Sequence, residues 1–258
     1  MICKFDIYQN VKYTYDTSNN RSTSLCIGVH MLITHLMKLD CSLKTDTYSK
    51  WYHLLELEKQ YKIAKFCFPD DRLRSLTAGI LLRSMLSNYC GLTLSELTFS
   101  TSKLGKPFLI SHPTIFFNLT HSASYVACSI SSAPVGIDIE KMVQINIKEI
   151  ATFFSISEQD YIFSKGSEQK RLDAFYSIWT LKEAFSKKMG CGLSIPLDSY
   201  SFSLSGKTIS LSTHLKNNAQ FSSQSIEKHY KFGLCSPILS ENNEKRLTLT
   251  ELIETIPF

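Results

Sequence analysis

The first apolar run, Leu25-Cys26-Ile27-Gly28-Val29-His30-Met31, predicts a strand. Helical spacing then predicts helices over 48–66 and 71–88. In the second, Leu73, Leu76, Ile80 and Met85 recur on one face behind Pro69-Asp70-Asp71, a helix start signal. Residues 115–119 predict a strand ending in Thr120-His121-Ser122, and 125–130 a further strand. Over 135–140 apolar and polar positions alternate, so a strand there buries Val135, Ile137 and Ile139 and projects Asp138 and Glu140 from the opposite face. Helices are predicted over 147–154, 157–163 and 168–189, and strands over 200–204, 208–211 and 230–236. In the helix 168–189, spacings of four line up Trp179, Glu183 and Lys187 on one stripe and Leu181, Phe185 and Met189 on another, which packs inward.

Ser131-Ser132-Ala133-Pro134 is a turn-rich joint and the candidate boundary. Before it lies a half spanning 25–133, after it a half spanning 134–258, and residues 1–24 form an aperiodic N-terminal extension. Each half reads strand, helices, strands, the order of two similar α+β units.

Hydrophobic residues at 43% and charged residues at 20% are the composition of a globular protein. The net charge of +5 favours an acidic or phosphorylated partner, but no basic run of five appears, so nucleic acid is not expected. The eight cysteines include no Cys-x-x-Cys pair; zinc is not expected, and the thiols read as reduced core residues of a cytoplasmic protein. The stretch 27–37 contains His30, Thr34 and His35 and is short of the ~20 residues a membrane span needs, so no membrane association is expected.

Asp138, Glu140 and Glu183 offer oxygen ligands of the kind Mg²⁺ prefers, with Lys187 nearby for phosphoryl chemistry. Each feature has an ordinary alternative. Asp138 and Glu140 could be the solvated face of a sheet, Glu183 and Lys187 an i,i+4 surface pair, and Lys59 and Lys62 solvated helix positions.

Taken together, Gly136-Ile137-Asp138-Ile139-Glu140 and Trp179-x-x-Lys182-Glu183-Ala184-x-x-Lys187 resemble the Sfp-type phosphopantetheinyl transferases, which move the phosphopantetheine arm of coenzyme A onto a serine of a carrier protein. The resemblance runs over about 25–236. Gly105-Lys106-Pro107, Phe117-Asn118-Leu119-Thr120-His121-Ser122 and the segment 192–198 support it, although Thr120 stands where the family often has serine. It implies a monomeric α+β fold of two halves related by a pseudo-twofold axis. It also implies that Asp138, Glu140 and Glu183 hold Mg²⁺, with Mn²⁺ as the alternative, against the pyrophosphate of coenzyme A. Glu183 or a metal-bound water would be the base, with Lys187 and, secondarily, Lys182 stabilising charge on the transferring group. Lys59, Lys62, Arg74, Thr120 and His121 would take the 3′-phosphate, and Lys106 and Pro107 would lie beside the adenine.

The partner so implied is an acyl or peptidyl carrier protein, an acidic helical domain. The stretch 148–154, with adjacent Phe153 and Phe154, is a candidate for its docking surface; a core helix is the competing reading. Two other functions fit parts of the pattern: a metal-dependent nuclease and a non-catalytic coenzyme A-binding module.

Overall fold

The structure, a computed structural model, describes residues 14–16, 21–23, 30–39, 45–190, 192–206, 208–215 and 217–256. A small hairpin, β1 (Thr14–Asp16) and β2 (Arg21–Thr23), precedes the first half. That half contains β3 (Leu32–Lys38), α1 (Thr45–His53), α2 (Leu57–Ala64), α3 (Pro69–Cys90), the hairpin β4 (Phe99–Thr101) and β5 (Pro107–Leu109), then β6 (Phe116–Ser122) and β7 (Tyr125–Ser131). The second half contains β8 (Gly136–Lys141), α4 (Ile147–Ile150), α5 (Ile156–Phe163), α6 (Glu168–Met189), the hairpin β9 (Ser201–Ser205) and β10 (Thr208–Ser212), then β11 (Gln220–Ile226) and β12 (Tyr230–Ser236). Each half thus runs strand, a helix of 22 residues, hairpin, two antiparallel strands. The sheets repeat the same order, first strand beside third and third beside second: β3-β7-β6 and β8-β12-β11.

The chain then turns back. β13 (Asn242–Leu247) pairs in parallel with β3, and α7 (Leu249–Glu254) follows it. Leu247, Leu252 and Ile256 join the core of the first half, so the reading that gave all of 134–258 to the second half is corrected at its end.

Alternation along the strands sorts the cores. Ile33 and Met37 of β3 and Val126, Cys128 and Ile130 of β7 pack under α3, while Leu32, Leu36, Tyr125 and Ala127 point the other way. There they meet Val135, Ile137, Ile139, Phe232 and Leu234, so the sheets share one core between them. The predicted apolar face of the 135–140 strand is that shared core. The polar face is covered by α6, which can lie so close only because Gly136 and Gly233 lack a Cβ. A Cβ on Gly136 would stand 1.9 Å from Ala184 O, and one on Gly233 2.6 Å from Thr180 O.

Several boundaries differ from expectation. The strand predicted over 25–31 lies mostly outside the described residues, and β3 begins at Leu32. The helix predicted over 48–66 is two helices, because Leu54 and Leu55 N–H bond back to Trp51 and Tyr52 O and the Gln60 amide donates to Leu55 O (2.7 Å). Residues 147–154 form one α-helical turn and one 3₁₀ turn. The strand expected to end in Thr120-His121-Ser122 does so, as β6, but it starts at Phe116 rather than Ile115. Leu181 and Phe185 are fully buried, but Met189 is exposed. Among the described cysteines Cys128 and Cys235 are buried, Cys90 is half-buried and Cys67 is exposed. No helix among the described residues is long and apolar enough to cross a membrane.

Candidate active site

The two sheets meet where β6 and β8 run side by side, and side chains join them there. Asn118 Oδ1 accepts from Ile137 N–H (2.8 Å), Thr120 Oγ1 from Ile139 N–H (3.2 Å) and Ser122 Oγ from Lys141 N–H (3.1 Å). Every second residue of β6 thus stands in for a missing backbone ladder, and the regular step of two is the period of a strand. The same hydroxyls aim the acids. Thr120 donates to Asp138 Oδ1 (3.1 Å) and Ser122 to Glu140 Oε2 (2.8 Å). Ser122 and Asn118 were not among the expected site residues; the polar-apolar alternation Asn118-x-Thr120-x-Ser122 was the signal for them.

Glu183 and Lys187, one helical turn apart on α6, face these acids. Lys187 Nζ pairs with Asp138 Oδ1 at 2.6 Å and reaches Thr120 Oγ1 at 3.4 Å. Asp138 is 3% exposed, and its Oδ2 is buried with no hydrogen-bond partner among the described residues. Burial pushes its carboxyl up, against the pull of Lys187 and Thr120. Glu140 is pushed up to about 7 by burial and then by the charge of Asp138. Glu183 rises through burial and Asp138, while Lys187 opposes the shift. Three carboxylates raised by burial, with the charge of Asp138 raising the other two and one of its own oxygens buried without a partner, are a donor set that suits a hard divalent cation. Among the described residues, however, no three acidic, His or Cys side chains are gathered closely enough to enclose an ion, and Asp138 is paired with Lys187.

Residues 43–133 match the family model described as 4′-phosphopantetheinyl transferase, N-terminal, and residues 134–235 match the 4′-phosphopantetheinyl transferase superfamily. The chain belongs to that superfamily. It is 36% identical over 166 residues to the 4′-phosphopantetheinyl transferase Sfp of Bacillus subtilis (strain 168), covering 64% of this chain and 74% of that one. It is 31% identical over 196 residues to the 4′-phosphopantetheinyl transferase gsp of Aneurinibacillus migulanus, covering 76% and 80%. It is 27% identical over 191 residues to the L-aminoadipate-semialdehyde dehydrogenase-phosphopantetheinyl transferase of Homo sapiens, covering 69% and 62%.

In this phosphopantetheinyl transferase a cationic cluster lies beside the acids. Desolvation, then the charges of Arg74, Lys59 and Lys187, hold the His121 imidazole below its ordinary range. Arg74 is fixed by bonds to Ala123 O (2.9 Å) and Asp71. Lys59 is half-buried, its pKa lowered first by burial and then by Lys62. Lys62 is exposed and paired with Glu58 at 2.7 Å. Lys59 and Lys62 also line a cavity of about 370 Å³, together with Glu56, Phe99, Pro107 and Phe117. Lys106 turns away from it and donates to Val135 O (3.2 Å), Lys187 O (2.6 Å) and Lys188 O (3.3 Å). It thereby ties the β4–β5 connection to the C-terminus of α6, where a cation is favoured.

Lys182 does not reach this site. One residue along a helix rotates a side chain by about 100°, which carries Lys182 away from Glu183 and into the core. It is fully buried, paired with Glu158 at 2.8 Å and bonded to Leu197 O (2.6 Å) and Tyr200 O (2.9 Å). Glu158 in turn closes the capping box of α5 and accepts from Phe202 N–H (2.8 Å). The pair therefore clamps α5, α6 and β9 together. Lys182→Ala leaves a buried carboxylate without its cation, which costs about 3–5 kcal/mol. Urea unfolding should show that loss; wild-type stability with lost activity would return Lys182 to the site.

Proposed function

We propose that the chain transfers the 4′-phosphopantetheine arm of coenzyme A to a serine of an apo acyl or peptidyl carrier protein and releases adenosine 3′,5′-bisphosphate. The observation that carries this reading is the meeting of Asp138, Glu140, Glu183 and Lys187 at the β6–β8 seam beside the Arg74, Lys59 and His121 cluster. Asp138, Glu140 and Glu183 would hold Mg²⁺, or Mn²⁺ in its place, which when bound neutralises pyrophosphate charge and stabilises the departing bisphosphate.

The remaining steps fall to the chain's own groups. Arg74, Lys59, Lys62, Thr120 and His121 fix the 3′-phosphate, which fixes the nucleotide end of coenzyme A relative to the acids. The neighbouring cavity takes the adenine against Pro107. Glu183, made more basic by burial and by Asp138, accepts the proton of the carrier serine as its Oγ bonds to the β-phosphorus and the bond to the bridging oxygen breaks. Lys187 places its ammonium where negative charge gathers on the transferring group. Phe153 is 65% exposed and Phe154 is 1% exposed, stacked on Phe175, so Phe153 is the side chain of the 148–154 stretch available to an acidic helical carrier.

Incubation with coenzyme A, Mg²⁺ and a panel of apo carrier domains, each weighed intact, tests the reading: one phosphopantetheine added to a carrier supports it, and none added to any carrier overturns it. Arg74→Ala should raise KM for coenzyme A more than for dephospho-coenzyme A. One charged hydrogen bond is worth about 1.5–3 kcal/mol, a ratio of roughly 10–150. An equal rise for both ligands would place the 3′-phosphate elsewhere.

A further inference from the structure

A second cleft of about 370 Å³ lies outside the groups used so far, between α5, the first turns of α6 and the β11–β12 turn. Three lysines face it, Lys165, Lys170 and Lys228, over a floor that includes Met142 and Tyr161. Lys165 sits on the Tyr161 ring, 3.6 Å from its centroid. The one acid lining the cleft, Asp173, is already taken by Lys231 at 2.8 Å. Among the described residues no carboxylate pairs with Lys165, Lys170 or Lys228, so the cleft carries a positive charge that the fold itself does not neutralise.

Its position relates it to the reaction. Met142 follows Glu140-Lys141 in an extended chain, its N–H donating to His229 O (2.7 Å). At about 3.3 Å per residue the cleft opens roughly 7 Å along that chain from Glu140. A macromolecule that brings a serine to the carboxylates therefore overhangs it. Exposed apolar side chains stand on the same part of the second half, Val143 just beyond Met142 and Ile156 at the start of the helix that carries Tyr161.

We propose that this lysine cleft receives an acidic helical segment of the carrier protein, with its carboxylates on Lys165, Lys170 and Lys228 and its apolar side against Met142 and Tyr161. The inference rests on the transferase reading above and adds to it the surface that orients the acceptor. Peripheral charges of this kind act mainly on encounter and on choice of partner, and their effect is screened by salt.

The test is steady-state transfer from coenzyme A to an apo carrier domain whose helix after the acceptor serine is acidic. Changing Lys165→Glu, Lys170→Glu and Lys228→Glu together should raise KM for the carrier about tenfold or more and leave KM for coenzyme A and kcat at saturating carrier unchanged. The three Lys→Gln changes, milder on the fold, should give a smaller rise in the same direction. Salt should raise the wild-type carrier KM steeply and that of the Glu variant hardly at all. A carrier with its helix acids changed to lysine should recover with the Glu variant. An unchanged carrier KM in both variants overturns the proposal, and so does an equal rise in KM for coenzyme A, which would make the cleft a nucleotide surface. Wild-type turnover with an unaltered carrier KM rejects the cleft alone, whereas no wild-type turnover on any carrier rejects the transferase reading beneath it.

Discussion

Glu183→Gln should still bind coenzyme A and transfer its arm ~10²–10⁴-fold more slowly, the usual effect of removing a general base. The amide keeps the shape of the side chain beneath α6 but takes up no proton, and the cationic groups around His121 are untouched. Asp138→Asn and Glu140→Gln should behave differently, because their acids are held by Thr120 and Ser122 and, in the function proposed above, would serve the cation rather than the serine. Their loss should weaken Mg²⁺ binding as measured by calorimetry, and added Mg²⁺ should restore part of the rate. A Mg²⁺ titration of the Glu183→Gln rate separates the two roles: full recovery at high Mg²⁺ makes Glu183 a ligand only. Near-wild-type rates in all three variants would remove the carboxylate site altogether.

Gly136→Ala should abolish folding or lower stability by more than about 3 kcal/mol, beyond the usual range for overpacking, because the obstacle is backbone and not the end of a flexible side chain. The added Cβ would fall 1.9 Å from Ala184 O and 2.4 Å from Lys188 N. For a chain of this size that is a drop of roughly 6–12 °C or more in Tm. α6 would have to lift from β8, separating Glu183 and Lys187 from Asp138, so any folded remainder should also be inactive. Gly166, whose Cβ would meet nothing within 4 Å, supplies the matched control. A Gly136→Ala protein that melts with the wild type would mean that α6 does not lie on β8 as described.

What the sequence made legible was whatever local period carried. The helix 168–189 and the strand 230–236 were read to the residue, because caps and apolar spacing lie within a few positions of each other. The acid strand was readable by alternation, and its membership in a site came from the family motifs. β13 was not readable: Asn-Asn-Glu-Lys-Arg-Leu lies on a sheet edge, exposed for most of its length, and has no apolar rhythm to announce it. β11, Gln-Phe-Ser-Ser-Gln-Ser-Ile, escaped because it too is an edge strand, half-buried but with only two apolar residues to mark it. Lys182 misled because its partner Glu158 is distant in sequence and the two meet only through packing of α5 on α6. The cationic cluster was foreseen as a set of residues by the family resemblance, but the separate task of Lys106 at the end of α6 depends on contacts across the two halves that no short window contains.

The return of β13 to the edge of β3 also bears on how the protein is made. A ribosome synthesises β3, β6 and β7 well before β13, yet the first sheet lacks an edge strand, and its core lacks Leu247, Leu252 and Ile256, until that last segment emerges. At about 5–20 residues per second the first half waits roughly 6–23 s with β3 unpaired on one side, while the second half is still being synthesised. The first half is thus completed only after the second has been synthesised, and the exposed β3 edge is the place where a nascent chain of this kind is open to mispairing or to a chaperone.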